Sequence, residues 1–189
     1  MKNRIPKIPT PSYLSNVALH YLERYAASEA SLRRVLMNRL RRAALSHPDF
    51  SPSSEVWQNL LPAIETIIAQ HQKTGVINDA SFAEMKVGSL RRQGRSRRAI
   101  AQKLLGKGIK GALVSEALRH HAEENGVEDE EAEYTAALAL ARRRKWGPFR
   151  TRTAPPEQIR KDFASLARAG FSSAIAQRVL KAEPLEETL

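Results

Sequence analysis

The side chains of this chain best placed to do chemistry are lysines and arginines gathered in runs, and their chemistry is the capture of phosphate or carboxylate. Lys86, Arg91, Arg92, Arg95, Arg97, Arg98, Lys103, Lys107 and Lys110 fall between Met85 and Arg119, a stretch with ten basic residues and one acid, Glu116. Arg142, Arg143, Arg144 and Arg150 form a later cluster, and Arg33, Arg34, Arg39, Arg41 and Arg42 an earlier one. Seven acids and no base lie between Glu123 and Glu133. On a chain of net charge +11 and pI near 10.3, such segregation points to a polyanionic partner: a nucleic acid, or a protein assembly built on one. The blander reading, solvated helix faces on a basic protein, does not account for clustering at this density. The acidic run has its own simple explanation. Acids entering a helix that ends in Arg142, Arg143, Arg144 and Lys145 are what the helix dipole favours.

Other chemistries find less support. The five histidines are expected to be isolated, with none paired to a histidine or acid at the i, i+4 spacing of a helical zinc site, so no metal is expected. No serine sits in a G-x-S-x-G elbow and there is no Walker A loop. Gly106-Lys-Gly-Ile-Lys-Gly111 matches G-x-G-x-x-G, which would suggest an enzyme with a nucleotide site. That motif needs a β-strand feeding the turn, whereas the segment before it, AIAQKLL, has a helical pattern; the glycines read as a C-cap and an interhelical turn. A helix-turn-helix is the stronger alternative. Its second helix would then read bases with Gly111, Ala112, Leu113, Val114 and Ser115, which offer few hydrogen bonds to base edges. The expectation is therefore no catalytic residue and no cofactor.

The elements that carry these residues repeat. Around Ser28 the chain reads SEASLRRVL, and around Ser96 it reads SRRAIAQKL, with Leu32 matching Ile100 and Leu36 matching Leu104. From Leu104, LLGKGIKGALVSEAL is answered by LARAGFSSAIAQRVL from Leu166, so that Gly108 matches Gly170, Ile109 matches Phe171, Leu113 matches Ile175 and Leu118 matches Leu180. Recurring units imply stacked modules, each burying an apolar face against the next.

Every apolar stripe has a period near 3.6, and breaks fall at Gly75, Gly94, Gly108, Gly126, Gly147 and Gly170. The prediction is an all-α chain of about nine helices: three tandem three-helix modules forming an elongated, curved molecule. Residues 1–15 read as a flexible arm, 16–75 as the first module with an insert at about 44–59, 76–125 as the second, 126–183 as the third, and 184–189 as an acidic tail. A first helix is expected from Asn16 with Ala18, Tyr21, Leu22 and Tyr25 on one stripe. Ser28 caps the next. Pro62 is placed in the first turn of its own helix, with Val56, Trp57 and Leu60 on a short separate one upstream. The stripe Phe82, Met85, Val87 and Leu90 follows a cap at Asn78 or Asp79. A hydrophobic share of 42% suffices for a core, and the absence of cysteine fits a reducing cytosol. The basic start, MKNRIPKIPTPSYLS, has no apolar h-region, and no segment reaches the length of a membrane span.

The stretch INDASFAEMKVGSLRRQGRSRRAIAQKLLGKGI, Ile77 to Ile109, resembles the central motif of the RecX family of recombinase regulators. The likeness rests on Asp79 ahead of Phe82-Ala83, a basic helix, a glycine, a Ser/Arg-rich cap and a leucine helix closing in Lys-Gly-Ile. ALHYLERYAASEASLRRVL near the start, and ALALARRRKWGPFR with ARAGFSSAIAQRVL near the end, agree. The resemblance spans about Val17 to Leu180. It departs in the insert and in a first repeat without the Lys-Gly close. It implies a non-enzymatic, cytoplasmic, monomeric regulator that binds the RecA filament on single-stranded DNA and damps its recombinase, ATPase and co-protease activities, with weak non-specific DNA binding besides. Lys86, Arg91, Arg92, Arg95, Arg97, Arg98, Lys103, Lys107 and Lys110, with Arg142, Arg143, Arg144 and Arg150 as the second choice, are then the expected contacts, held as a wedge in the filament groove.

Overall fold

Serine and threonine caps start this fold at five places. Thr10, Ser28, Ser54, Ser96 and Ser172 each accept a hydrogen bond from the backbone N–H three residues on, at 3.2–3.4 Å, worth about 1 kcal/mol apiece. The computed structural model describes residues 6–150 and 155–182, and among these every regular element is helical. The elements are α1 (Pro11–Leu22), α2 (Glu29–Ala44), α3 (Glu55–Lys73), α4 (Asp79–Arg92), α5 (Arg97–Leu105), α6 (Gly111–Glu124), α7 (Asp129–Arg144), a 3₁₀ turn (Gly147–Phe149), α8 (Pro156–Arg168) and α9 (Ser173–Leu180). Asn78 is the cap of α4, accepting from the Ala80 and Ser81 amides. The acidic tail, the start of the N-terminal arm and residues 151–154 of the loop before α8 lie outside the described residues.

Three expectations need correction. The arm ends sooner than residue 15, because Thr10 caps α1 and Pro11 occupies its first turn, where a missing N–H costs nothing. Tyr25 lies beyond α1 and is largely exposed, and Met85 likewise faces out while Ala83 is buried in its stead. Pro62 does not begin a helix. It sits inside α3, a single 19-residue helix. The lost hydrogen bond costs about 3 kcal/mol. The continuous stripe Trp57, Leu60, Ile64, Ile67 and Ile68, buried to 5% exposure or less, outweighs it. Pro62 itself faces solvent, as does Gln58 one turn before it, so the missing N–H falls on the side of the helix open to water.

The chain divides into two compact units. The first comprises Met1–Phe82 and Lys107–Ile109. Its core joins Leu14 and Ala18 of α1, Leu32, Leu36 and Leu40 of α2, and the buried stripe of α3, with Phe50 from the connecting loop against Trp57, ring centroids 5.3 Å apart. The second comprises Ala83–Gly106 and Lys110–Leu189. Ala136, Ala137, Leu140 and Ala141 of α7 pack there with Leu166 of α8 and with Phe171, Ile175, Ala176 and Val179 at and within α9.

The sequence repeat has a structural counterpart, found once in each unit. In the first, the Ser28 hydroxyl donates to the Lys107 carbonyl at 2.8 Å, and the Glu29 amide donates to Asp79 Oδ1 at 2.9 Å. In the second, the Ser96 hydroxyl donates to the Ala169 carbonyl at 2.6 Å, and the Arg97 amide donates to Glu133 at 3.0 and 3.2 Å. The accepting carbonyls precede Gly108 (φ +81°) and Gly170 (φ +95°). A Cβ at those glycines would lie 2.2 Å from Ala30 Cβ and 2.6 Å from Ser96 Oγ. Only glycine permits both the left-handed turn and the close approach. At the matching start of α8 the cap is Pro155, with no hydroxyl to repeat the contact.

Candidate protein and nucleic-acid interface

A basic cluster becomes a binding surface only where its charges are free. On α4, Arg91 and Arg92 are neighbours in sequence, so a helix turns them about 100° apart. Arg91 points inward, its side chain 4% exposed, and Nη1 donates to Glu133 Oε2 at 2.5 Å. This corrects the expectation that Arg91 is a solvent-facing contact. The arginine enters the packing because α7 presents a carboxylate there that also holds the Arg97 amide at the start of α5. Arg97 pairs with Asp129, and Arg150, offered as a contact in the later cluster, is half-buried on Asp162.

Asp162 is 1% exposed and accepts from Arg150 at 2.7–3.1 Å, from the Gly147 amide at 3.0 Å and from Gln158 at 3.1 Å. Burial pushes its carboxyl up, but these hydrogen bonds outweigh it and hold the group below the usual carboxylate range. The Arg150–Asp162 contact is a clasp that ties the 3₁₀ turn to α8.

Arg92 on α4, Arg95 in the turn, Arg98 and Lys103 on α5, and Lys110 before α6 are exposed and carry no ion pair among the described residues. Lys86 is half-buried on α4, and Lys107 is exposed in the turn that belongs to the first unit. Arg142, Arg143 and Arg144 are exposed in the last turn of α7, with Arg142 lying 5.4 Å from the Phe149 ring centroid. Arg97 and Arg98 share a groove of about 790 Å³ with Asp129, Glu130 and Glu133, so basic and acidic walls meet there.

Glu133 is the residue whose role sequence reasoning missed: it holds Arg91 inside the fold. It was one acid in a run, and nothing local marks it as the partner of Arg91. His120 and Glu124 also correct an expectation: they do stand at i, i+4, with Nδ1 3.7 Å from the carboxylate, both well exposed. Glu116 also precedes His120 by four, yet no group of three or more such side chains is placed to hold a metal among the described residues. His121 is different. Burial, then the charge of Arg91, lowers its pKa below the ordinary value, Glu124 opposing.

The glycine motif lies on a helix end. Gly106 has helical backbone angles and closes α5, while Gly111 opens α6. A base-reading second helix also loses ground here, since Val114 is buried and Leu113 half-buried.

A family model described as RecX, second three-helix domain, matches residues 78–118. The chain is similar to the regulatory protein RecX of Myxococcus xanthus (strain DK1622), 41% identical over 187 residues, 97% of this chain and 94% of that one. It is 30% identical to the regulatory protein RecX of Agrobacterium fabrum (strain C58 / ATCC 33970) over 89% of this chain and 82% of the relative. The crystal structure of RecX from Lactobacillus salivarius shares the fold, with a TM-score of 0.61 at 20% identity, covering 90% of this chain and 94% of that one. Among the described residues the chain is all-helical, and the family model that it matches is a three-helix domain of a regulatory protein family. The chain belongs to the RecX family of regulatory proteins.

Proposed function

We propose that this protein binds the RecA filament on single-stranded DNA through Arg92, Arg95, Arg98 and Lys103, with Lys110, Arg142, Arg143 and Arg144 as further contacts. Lys86, half-buried on α4, and Lys107, exposed in the first unit, are further candidate contacts. The observation that carries the assignment is the division among the arginines: Arg91, Arg97 and Arg150 are engaged within the fold, whereas Arg92, Arg95 and Arg98 are exposed and carry no ion pair among the described residues. Several weak contacts along a repetitive lattice give avidity without a deep pocket. The protein acts in the cytoplasm, as a monomer, and contacts phosphate without reading sequence.

The test is a titration of RecA-driven strand exchange and of DNA-dependent ATP hydrolysis. Both should fall. Action well below one protein per several RecA protomers marks a cap on filament growth, and action near that ratio marks a blocker in the groove. Reversing Arg92, Arg95 and Arg98 to Glu should weaken inhibition by about tenfold or more, because like charge against a complementary surface costs several kcal/mol. Both activities unchanged at excess protein and low salt would reject the reading.

A further inference from the structure

The first compact unit carries a surface apart from the residues proposed to bind RecA. Tyr21 and Tyr25 stand one helical turn apart, ring centroids separated by 5.3 Å and planes tilted by 41°. The backbone keeps turning past the end of α1, since the Tyr25 amide donates to the Tyr21 carbonyl at 3.0 Å, and this holds the second ring over the first. Tyr25 is 57% exposed. With Asn16, Arg24 and Arg39 the two rings line a groove of about 560 Å³ between α1 and α2.

The charge of that groove is one-sided. None of its lining residues is acidic, and the lining His20 has its Nδ1 3.8 Å from the carboxylate of Glu23. Arg33, on the same helix as Arg39, is held by Glu29 at 2.8 Å and Glu65 at 2.6 Å. Arg24 and Arg39 have no such partner among the described residues. An open aromatic face beside two unpaired guanidinium groups is what a single-stranded nucleic acid requires, because every base has a π-face and every linkage a phosphate. A duplex keeps its base faces stacked on each other. An acidic peptide would answer the arginines and leave the Tyr25 face unused.

We propose that the α1–α2 groove is a stacking site for single-stranded DNA, with a base lying on Tyr25, its neighbouring phosphates on Arg24 and Arg39, and the Asn16 amide at the base edge. The choice of DNA over RNA rests on the proposed function. The stacking site itself does not.

The experiment uses the full chain and two fluorescent probes, dT20 and rU20, at low salt. Binding of dT20 should weaken about tenfold in Tyr25→Ala and in Arg39→Ala, and stay within about twofold of wild type in Tyr25→Phe, which keeps the ring. Lys73→Glu, on α3 outside the groove, controls for net charge and should cost far less than Arg39→Glu. Irradiating the protein on an iododeoxyuridine-substituted strand should crosslink Tyr25 or Tyr21. Wild-type dT20 affinity in Tyr25→Ala, or crosslinks confined to α4 and α5, would overturn the site. Poly-glutamate displacing dT20 equally well from wild type and Tyr25→Ala would overturn it in favour of an acidic partner, and rU20 binding more tightly than dT20 would overturn the choice of DNA. The reversal of Arg92, Arg95 and Arg98 should leave the tyrosine crosslink intact. The two readings can therefore fail separately: RecA untouched with the crosslink present rejects only the proposed function, and RecA inhibited with the crosslink absent rejects only this site.

Discussion

Arg91 and Arg92 differ by one step along a helix and by their whole role. Arg91 is committed to Glu133 in a nearly dry pair, and breaking such a pair from one side strands the other charge. Arg91→Ala should therefore destabilise the protein by about 3 kcal/mol in denaturant titration, while Arg92→Ala leaves the midpoint within about 0.5 kcal/mol of wild type. Asp162 adds a pH signature. Its folded pKa is depressed, so its contribution is present above the unfolded value near 3.9 and is lost as pH falls through the lower folded value. Asp162→Asn should lower stability at pH 7 and flatten the loss seen below about pH 4. His121 works on a different window: depressed by burial, it favours the neutral ring, and stability falls as pH drops below about 6.5. His121→Gln should remove that part of the acid slope, and in NMR spectra the ring protons of His121 should titrate below the ordinary imidazole value near 6.5.

Among the elements, α3 and the turns at Gly94 and Gly170 show tertiary packing overruling or exploiting local preference. Pro62 is exposed in the middle of α3, so Pro62→Ala restores a hydrogen bond and should raise stability by about 1–2 kcal/mol, the helix gain less the unfolded-state entropy that proline had limited. Gly94, at φ +70°, has no room for a side chain: a Cβ would sit 2.6 Å from the Leu140 amide nitrogen and 2.8 Å from the Ala136 carbonyl. Those are backbone atoms of α7 and cannot swing aside. Gly94→Ala should cost more than about 2 kcal/mol, read as a shift in thermal midpoint. Ser96→Ala loses the cap of α5 and leaves the Ala169 carbonyl without its donor, a cost of about 1–3 kcal/mol.

For the whole molecule, a net charge of +11 ties any contact with naked nucleic acid to counterion release. With about four phosphates neutralised on a single strand, affinity should fall about 50-fold between 50 and 200 mM salt and depend little on sequence. A tight preference for one duplex site that survives high salt would instead support a helix-turn-helix reader of bases.

Helical class, caps and the repeat were written in the chain itself, because they depend on spacing over three to eight residues: serine, then a large apolar residue four on, then leucine. The pairing of Gly108 with Gly170 was legible for the same reason, and the structure gives both a positive φ and a close neighbour. The proline inside α3 was not legible, since its cost is local while the stripe that outweighs it is buried by α1 and α2. Nor could one dimension separate the exposed arginines from the structural ones. Arg91 and Glu133 are 42 positions apart, and Arg150 meets Asp162 across a turn and a loop. A charge run states how much positive charge is present; whether each guanidinium faces a carboxylate or solvent depends on which helix packs opposite, and only the folded chain decides that.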